Sequence, residues 1–290
     1  MANNITLAKN YTDLLDEVYK NASVTADLTS DPRMMRAGAN AKEILYPQIS
    51  VSGLGDYDRN SGYTNGSVNV VWKTATFNYD RGTKISVDTM DDQETFNIAF
   101  GMAGATLQRE KVAPEADAFV FATLACLTGI SKATPATYAN ASDFLSALIE
   151  AKNKMDEDEV PLDNRILYAA PKLVNSVMSL DTTKSREILD TFMVKKAVPQ
   201  SRFYTVIELL DGKSSGEELG HYKKAASGKD INFMIVHKPA IIKFDKHIAS
   251  DIIAPENNPN ADSYISKYRK YGLVDAYKNK VAGIYLSHKA

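Results

Sequence analysis

Four histidines, a single cysteine and several carboxylate runs are the side chains in this sequence with the chemistry to catalyse or to bind metal. His221, His237, His247 and His288 show no HExxH spacing, and none has a carboxylate at helical spacing that would orient it as a base. His237 ends an apolar run and reads as structural. Cys126 lies in an apolar segment and carries no signature of a nucleophile, so it reads as a buried, inert thiol. Asp156, Glu157, Asp158 and Glu159 offer oxygens to a hard cation, but four consecutive acids cannot converge on one ion, and the spacing of a calcium loop is missing. A solvated loop explains them. Asp91 and Asp92 stand where a helix should begin, and capping accounts for them without catalysis.

Two binding patterns need weighing. The stretch GLGDYDRNSGYTNGS, residues 53–67, is glycine-rich, yet no lysine-serine or lysine-threonine pair and no helix start follow Gly66, which argues against a phosphate cradle. Tyr264, Tyr268, Tyr271 and Tyr277 interleave with Lys267, Arg269, Lys270, Lys278 and Lys280, as on a surface that stacks single-stranded nucleic acid. A half-buried strand with tyrosines inward and lysines outward gives the same alternation. The sequence therefore predicts no enzyme, no cofactor and no metal site.

Composition sets the outer limits. The chain has 290 residues, 44% hydrophobic and 24% charged, with a formal net charge of −2. That length buries a core without disulfide staples, and one cysteine cannot form an intrachain bridge. The balanced charge argues against a surface given over to nucleic acid. The N-terminus lacks a basic flank followed by an apolar core, and the most apolar stretch, residues 119–130, is too short to span a bilayer.

The element that must position everything else is residues 91–127. Asp91 with Glu94 makes a capping box, and Phe96, Ala99, Phe100, Ala103 and Leu107 follow as one apolar stripe. A second stripe runs through Val112, Ala116, Phe119, Val120, Leu124 and Leu127. The five-residue step from Leu107 to Val112 puts the stripes out of phase, and Pro114 removes a donor, so a kink is expected there. Such a spine would be about 50 Å long at about 1.5 Å per residue.

Around it the chain divides by period. Residues 1–45 hold one short amphipathic piece, with Leu14, Leu15, Val18 and Tyr19 on one face, then no sustained pattern; they read as an arm. Residues 46–79 alternate with period two around the glycine-rich tip and read as a long hairpin carrying Tyr57, Tyr63, Trp72 and Phe77. Alone in water a two-stranded hairpin is barely stable, so it needs a surface to lie on. Asp80, Arg81 and Gly82 read as a turn. A helix through Phe144, Leu145, Leu148, Ile149 and Met155 follows the spine, then an interleaved α/β lobe. The last segment reads as strands joined by a hairpin turn at Asn279 and Lys280, which must pair with something distant. The spine's polar run Gln108, Arg109, Glu110 and Lys111 is either a solvated face or a set of contacts to a neighbouring subunit.

In this order the parts resemble the major capsid proteins of tailed phages, which have the Hong Kong 97-type shell fold. The resemblance rests on YDRGTKISVDTMDD, VAPEADAF, RILYAAP and KYGLVDAYKNKVAGIYLSHK. It implies an α+β chain with an N-terminal arm (1–45), an extended β-hairpin loop (46–79), a peripheral domain (80–163 and 263–290, with spine helix 91–127) and an axial domain (164–262). It implies a structural subunit, made in the host bacterial cytoplasm, that forms pentamers and hexamers of an icosahedral virion shell. The partners implied are a portal protein, packaged double-stranded DNA held without sequence recognition, and a separate scaffolding protein, because Met1 lies close to the arm; no membrane is involved. The candidate intersubunit residues are Leu14, Leu15, Tyr57, Arg59, Tyr63, Trp72, Arg109, Glu110 and Lys111. An encapsulin-like compartment shell shares the fold and is the closest rival.

Overall fold

The computed structural model describes residues 22–30, 36–37, 42–60, 62–94, 98–179 and 183–290. Strands β1 (Arg36–Ala37), β2 (Glu43–Val51) and β3 (Val68–Thr76) form one antiparallel sheet in that order. β4 (Tyr79–Asp88) leads into helices α1 (Thr89–Glu94) and α2 (Ile98–Leu107), a π-helical turn (Gln108–Val112) and α3 (Ala113–Cys126). There follow β5 (Ser131–Lys132), α4 (Ala141–Glu157), β6 (Arg165–Ala169), α5 (Pro171–Met178), α6 (Thr183–Asp190) and β7 (Val194–Ala197). A small ribbon of β8 (Ile207–Leu209) and β9 (Tyr222–Lys224) precedes β10 (Ile231–His237), β11 (Ile241–Ile253), β12 (Ser263–Ala276) and β13 (Ile284–His288). The class is α+β, as expected.

The core is built on a five-stranded sheet in the order β5-β13-β10-β6-β7, covered on both faces. Side chains alternate across a strand, and the two faces fill two different clusters. Ile166, Tyr168, Met234, Val236, Ile284 and Leu286 pack toward Val120, Phe121 and Leu124 of α3. Leu167, Ala169, Phe233, Ile235 and Tyr285 pack toward Phe144, Leu148 and Met155 of α4. Burial on both sides explains why residues 166–169 and 233–236 read as continuous apolar runs rather than alternating ones. Along α4 the buried positions are Phe144, Ala147, Leu148, Ala151 and Met155, one helical face. Ile149, expected on that face, is exposed, because its step from Phe144 carries it around the helix.

A second sheet, β11-β12-β4, joins segments far apart in sequence, with Gly82 facing Arg269 and Gly272 facing Tyr79. Residues 80–82, expected as a turn, lie inside continuous strand β4. Turn-forming residue types mislead here because Asp80 and Gly82 have cross-strand uses and Arg81 reaches the spine. A Cβ on Gly82 would sit 2.8 Å from the Tyr268 carbonyl oxygen, so glycine lets β12 approach, and Asp80 takes a two-armed ion pair from Arg269 at 2.7 and 2.9 Å. The hairpin expected at Asn279 and Lys280 also dissolves. β12 pairs with β11 and β4 whereas β13 pairs with β10 and β5, so this turn is a crossover between sheets.

The sheets cut across the boundaries expected from sequence. β13, from 263–290, completes the sheet of β6 and β10, and β11, from 164–262, completes the sheet of β12 and β4.

The spine shows how the five-residue step is accommodated. α2 and α3 are out of phase by one residue, and the π-helical turn between them absorbs it, with the amide of Ala113 donating to the Gln108 carbonyl five residues back. Pro114, which has no amide to give, then falls in the first turn of α3. At the other end the helix begins at Thr89, two residues before the expected cap, and Asp88 accepts the Met90 amide at 2.9 Å. Asp91 is thus within the first turn. Phe96 lies outside the described residues.

Candidate intersubunit surface

The hairpin pairs in one register from Glu43 opposite Thr76 to Val51 opposite Val68. Among the described residues, only its base is covered. Ile44, Tyr46 and Ala75 pack on Ile242 and Leu273, with Tyr46 edge-on to Tyr277 at 5.1 Å. Beyond that base Ile49, Val51, Leu54, Val68, Val70 and Val71 are exposed, a run of apolar side chains on a free element. At the tip Tyr57 and Tyr63, 60% and 88% exposed, lie against each other with ring centroids 4.8 Å apart. Arg59 occupies the turn closed by the Asp58–Gly62 bridge and is exposed. Trp72 is 42% exposed, with the Arg36 guanidinium 4.9 Å above its ring. Scattered exposed apolar residues need no explanation, but a contiguous set on one element makes it a candidate interaction surface.

The other sequence-chosen residues separate. Arg109 and Glu110 face each other on the π turn at 3.9 Å, both mostly in water. Lys111 instead lines a cleft of about 440 Å³ between the π turn, β4 and residues 211–221. Leu14 and Leu15 lie outside the described residues.

Sequence reasoning missed the root of the arm. Residues 22–30 are part of the fold: Leu28 is fully buried in the main core, and Ser30 exchanges hydrogen bonds with β11 through the Lys243 amide and carbonyl. Asp117 of α3, completely buried, accepts from Ser23 Oγ (2.7 Å), Val24 N (2.9 Å), Thr25 N (3.1 Å), Thr25 Oγ1 (2.7 Å) and Arg202 (3.2 Å). From the opposite side Lys243, also buried, donates to the Thr25 carbonyl at 2.7 Å and its hydroxyl at 3.1 Å. Burial, with Lys270 close by, pushes the Lys243 ammonium down to about 8. The signal was present in VAPEADAF: two carboxylates set among alanines on a buried helix require partners.

Glu115, the other carboxylate, binds Arg81 Nε at 2.7 Å and Tyr79 OH at 3.2 Å. Burial works against its ionisation, but His221, Arg81 and Tyr79 together hold it below the usual range.

Cys126, expected buried, is exposed. The inward face of α3 runs through Phe121, Leu124 and Ala125, and the last helical residue falls off it. Asp156 pairs with buried Arg165 at 2.7 Å while Asp158 pairs with Lys154 at 2.8 Å, so the acidic run is divided between two cations. Among the described residues no group of three or more His, Cys, Asp or Glu is placed to hold a metal, and no helix is long and apolar enough to cross a membrane.

Neither a protein-family model nor a curated protein matches the chain. Solved structures do. A capsid structure of the cyanophage P-SCSP1u superposes with a TM-score of 0.59 at 12% identity, over 93% of this chain and 88% of that one. The mature capsid of bacteriophage PhiM1 gives 0.57 at 13% identity, over 86% and 82%. A virus-like particle from Pyrococcus furiosus gives 0.59 at 9% identity, over 96% and 98%. The chain therefore has a capsid-protein fold along nearly its whole length.

Proposed function

We propose that this chain is the major capsid subunit of a tailed phage, of the Hong Kong 97 type, assembling into pentamers and hexamers of an icosahedral head around double-stranded DNA. The observation that carries this reading is the hairpin: its base is anchored in the core and its remaining length presents apolar side chains to water. Supporting it, the fold shared with phage capsids covers nearly all of the chain. Obligate assemblies bury thousands of Å² of such surface, and cyclic symmetry repeats the contact. In this role the arm and hairpin overlap neighbours, and a scaffolding protein and a portal protein are the partners. The axial domain corresponds to the five-stranded sheet with α4 to α6, the peripheral domain to β4, β11, β12 and the spine.

Electron microscopy of the expressed protein, alone and with a candidate scaffold, tests this. Closed shells or capsomers are expected, and deletion of residues 54–66 should leave a soluble folded chain that does not assemble. A chain that remains monomeric under every condition overturns the reading. A second, weaker reading is an encapsulin-like compartment shell enclosing protein cargo, and the match to a virus-like particle is compatible with it. The contents of purified particles, nucleic acid or protein, separate the two.

A further inference from the structure

The loop between β8 and β9 is a self-bonded unit on a narrow neck. The Asp211 carboxylate accepts from the amides of Lys213 and Ser214, its own amide donates to Glu217, and the Gly220 amide donates to the Glu217 carbonyl. At the neck Gly212 and Gly220 take positive φ of 71° and 61° and pass close enough that a Cβ on Gly212 would lie 3.7 Å from the Gly220 Cα. The Leu210 amide donates to the His221 carbonyl and closes the neck. Leu219 rides on this unit, 98% exposed.

His221 is the point where the unit meets the spine. Its φ of 75° is left-handed, a conformation that costs a non-glycine residue energy and is held only where its surroundings impose it. Its ring lies against Tyr222 at 4.5 Å. Its Nδ1 is sealed from solvent without a hydrogen-bond partner, 3.7 Å from Glu115 Oε2. That oxygen is itself weakly served. Arg81 Nε and Tyr79 OH both go to Oε1, and among the described residues Oε2 receives only Arg81 Nη2 at 3.4 Å. A strained residue, an orphaned ring nitrogen and an under-satisfied carboxylate oxygen thus meet across a gap slightly too wide for a hydrogen bond, at the wall of the 440 Å³ cleft.

We propose that residues 211–221 are a proton-operated clasp: protonated His221 closes onto Glu115 and draws the loop and Leu219 toward the π turn, and neutral His221 releases them. The groups facing His221 set the sign. Glu115 from α3 favours closure under acid. Arg81 from β4, Lys111 from the π turn and Lys213 in the loop oppose it by charge, although Arg81 Nη2 also donates to the His221 carbonyl at 3.3 Å and keeps the neck attached in both states. Asp211 and Glu218 in the loop support it, Tyr79 and Tyr268 complete the wall, and Tyr222 lies against the imidazole ring. Because the loop is internally rigid, closing a gap of under an ångström at the neck moves its tip as a unit.

Amide hydrogen exchange of the purified full chain, read by mass spectrometry and corrected for intrinsic pH dependence, tests the clasp in any assembly state. Across the range in which histidine changes charge, from about pH 8 to about pH 5.5, protection of residues 210–222 should rise roughly tenfold while that of β10 stays constant. His221→Asn, which tolerates the left-handed backbone, and Glu115→Gln should each abolish the response and leave protection at its alkaline value. If Glu115→Gln does not fold, His221→Asn decides alone, since it leaves the Arg81 pair intact. A wild-type loop indifferent to pH, or a response that survives His221→Asn, overturns the proposal.

Discussion

Asp117 on the spine accepts both the amide and the hydroxyl of Thr25, at 3.1 and 2.7 Å, across 92 residues of sequence. Thr25 gives its carbonyl to Lys243 from the other side. A nine-residue strap is thereby held by polar bonds between the spine and β11, with Leu28 as its apolar peg. Removing residues 1–45 would pull out this peg, so a deletion meant to probe assembly alone should stop before residue 22.

Asp117→Ala should be among the most destabilising substitutions in the chain. It strands four donors of the strap and leaves Arg202 without its carboxylate, and breaking such a buried network costs roughly 3–5 kcal/mol. Urea unfolding should show the midpoint falling with little change in slope. Asp117→Asn, which keeps the shape and one acceptor, should cost less.

Lys243 makes a prediction with a definite sign. Its folded pKa of about 8 lies below the ordinary lysine value, so between those two values the unfolded chain binds more protons than the folded one. Stability must therefore rise with pH across that window, by about 3 kcal/mol at full effect, and the penalty is fully present below about pH 8. Lys243→Met should flatten this rise. The slope is the diagnostic quantity, because the substitution also removes two bonds to Thr25 and shifts stability at every pH.

How far these features could be read in advance varies with the range of the interactions behind them. The hairpin was legible because period-two alternation is local, and the structure leaves Tyr57, Tyr63 and Trp72 exposed on it. The phase slip between Leu107 and Val112 was visible too, although whether it bends the helix or passes into a π turn depends on packing around both halves. Partner choice was not legible. Nothing local tells β12 to avoid β13, and Asp80 and Gly82 carry turn chemistry that only the facing strand converts into ladder chemistry. Asp117 and Glu115 went unread as a site because their partners, Thr25 and Arg81, lie 92 and 34 residues away.

Gly82→Val tests the conversion at Gly82. A Cβ there meets the Tyr268 carbonyl at 2.8 Å, and backbone cannot move aside as a flexible side chain would. Forcing the strands apart should cost about 1–3 kcal/mol, in the range of overpacked sites, and should weaken amide protection at Tyr268 and Arg269 more than in the five-stranded sheet. Loss spread evenly over both sheets would show that the close approach is not what glycine supplies.

Tyr57, Tyr63 and Trp72 test the hairpin as a surface rather than as part of the fold. Each is substantially exposed, and the tyrosine pair touches only itself among the described contacts. Tyr57→Ala with Tyr63→Ala should therefore change the unfolding free energy by less than about 0.5 kcal/mol, as expected for surface positions. Trp72→Ala should cost somewhat more, because it also removes the Arg36 stacking contact. If the hairpin is buried between subunits, the same substitutions act at the most aromatic part of an interface, where truncation commonly costs 2 kcal/mol or more per residue. Assembly multiplies that loss over every repeated contact, so shells should fail to form at concentrations where the wild-type chain closes completely. Sedimentation and electron microscopy on variants of matched stability read this directly, and normal shells from the triple variant would remove the hairpin from the interface.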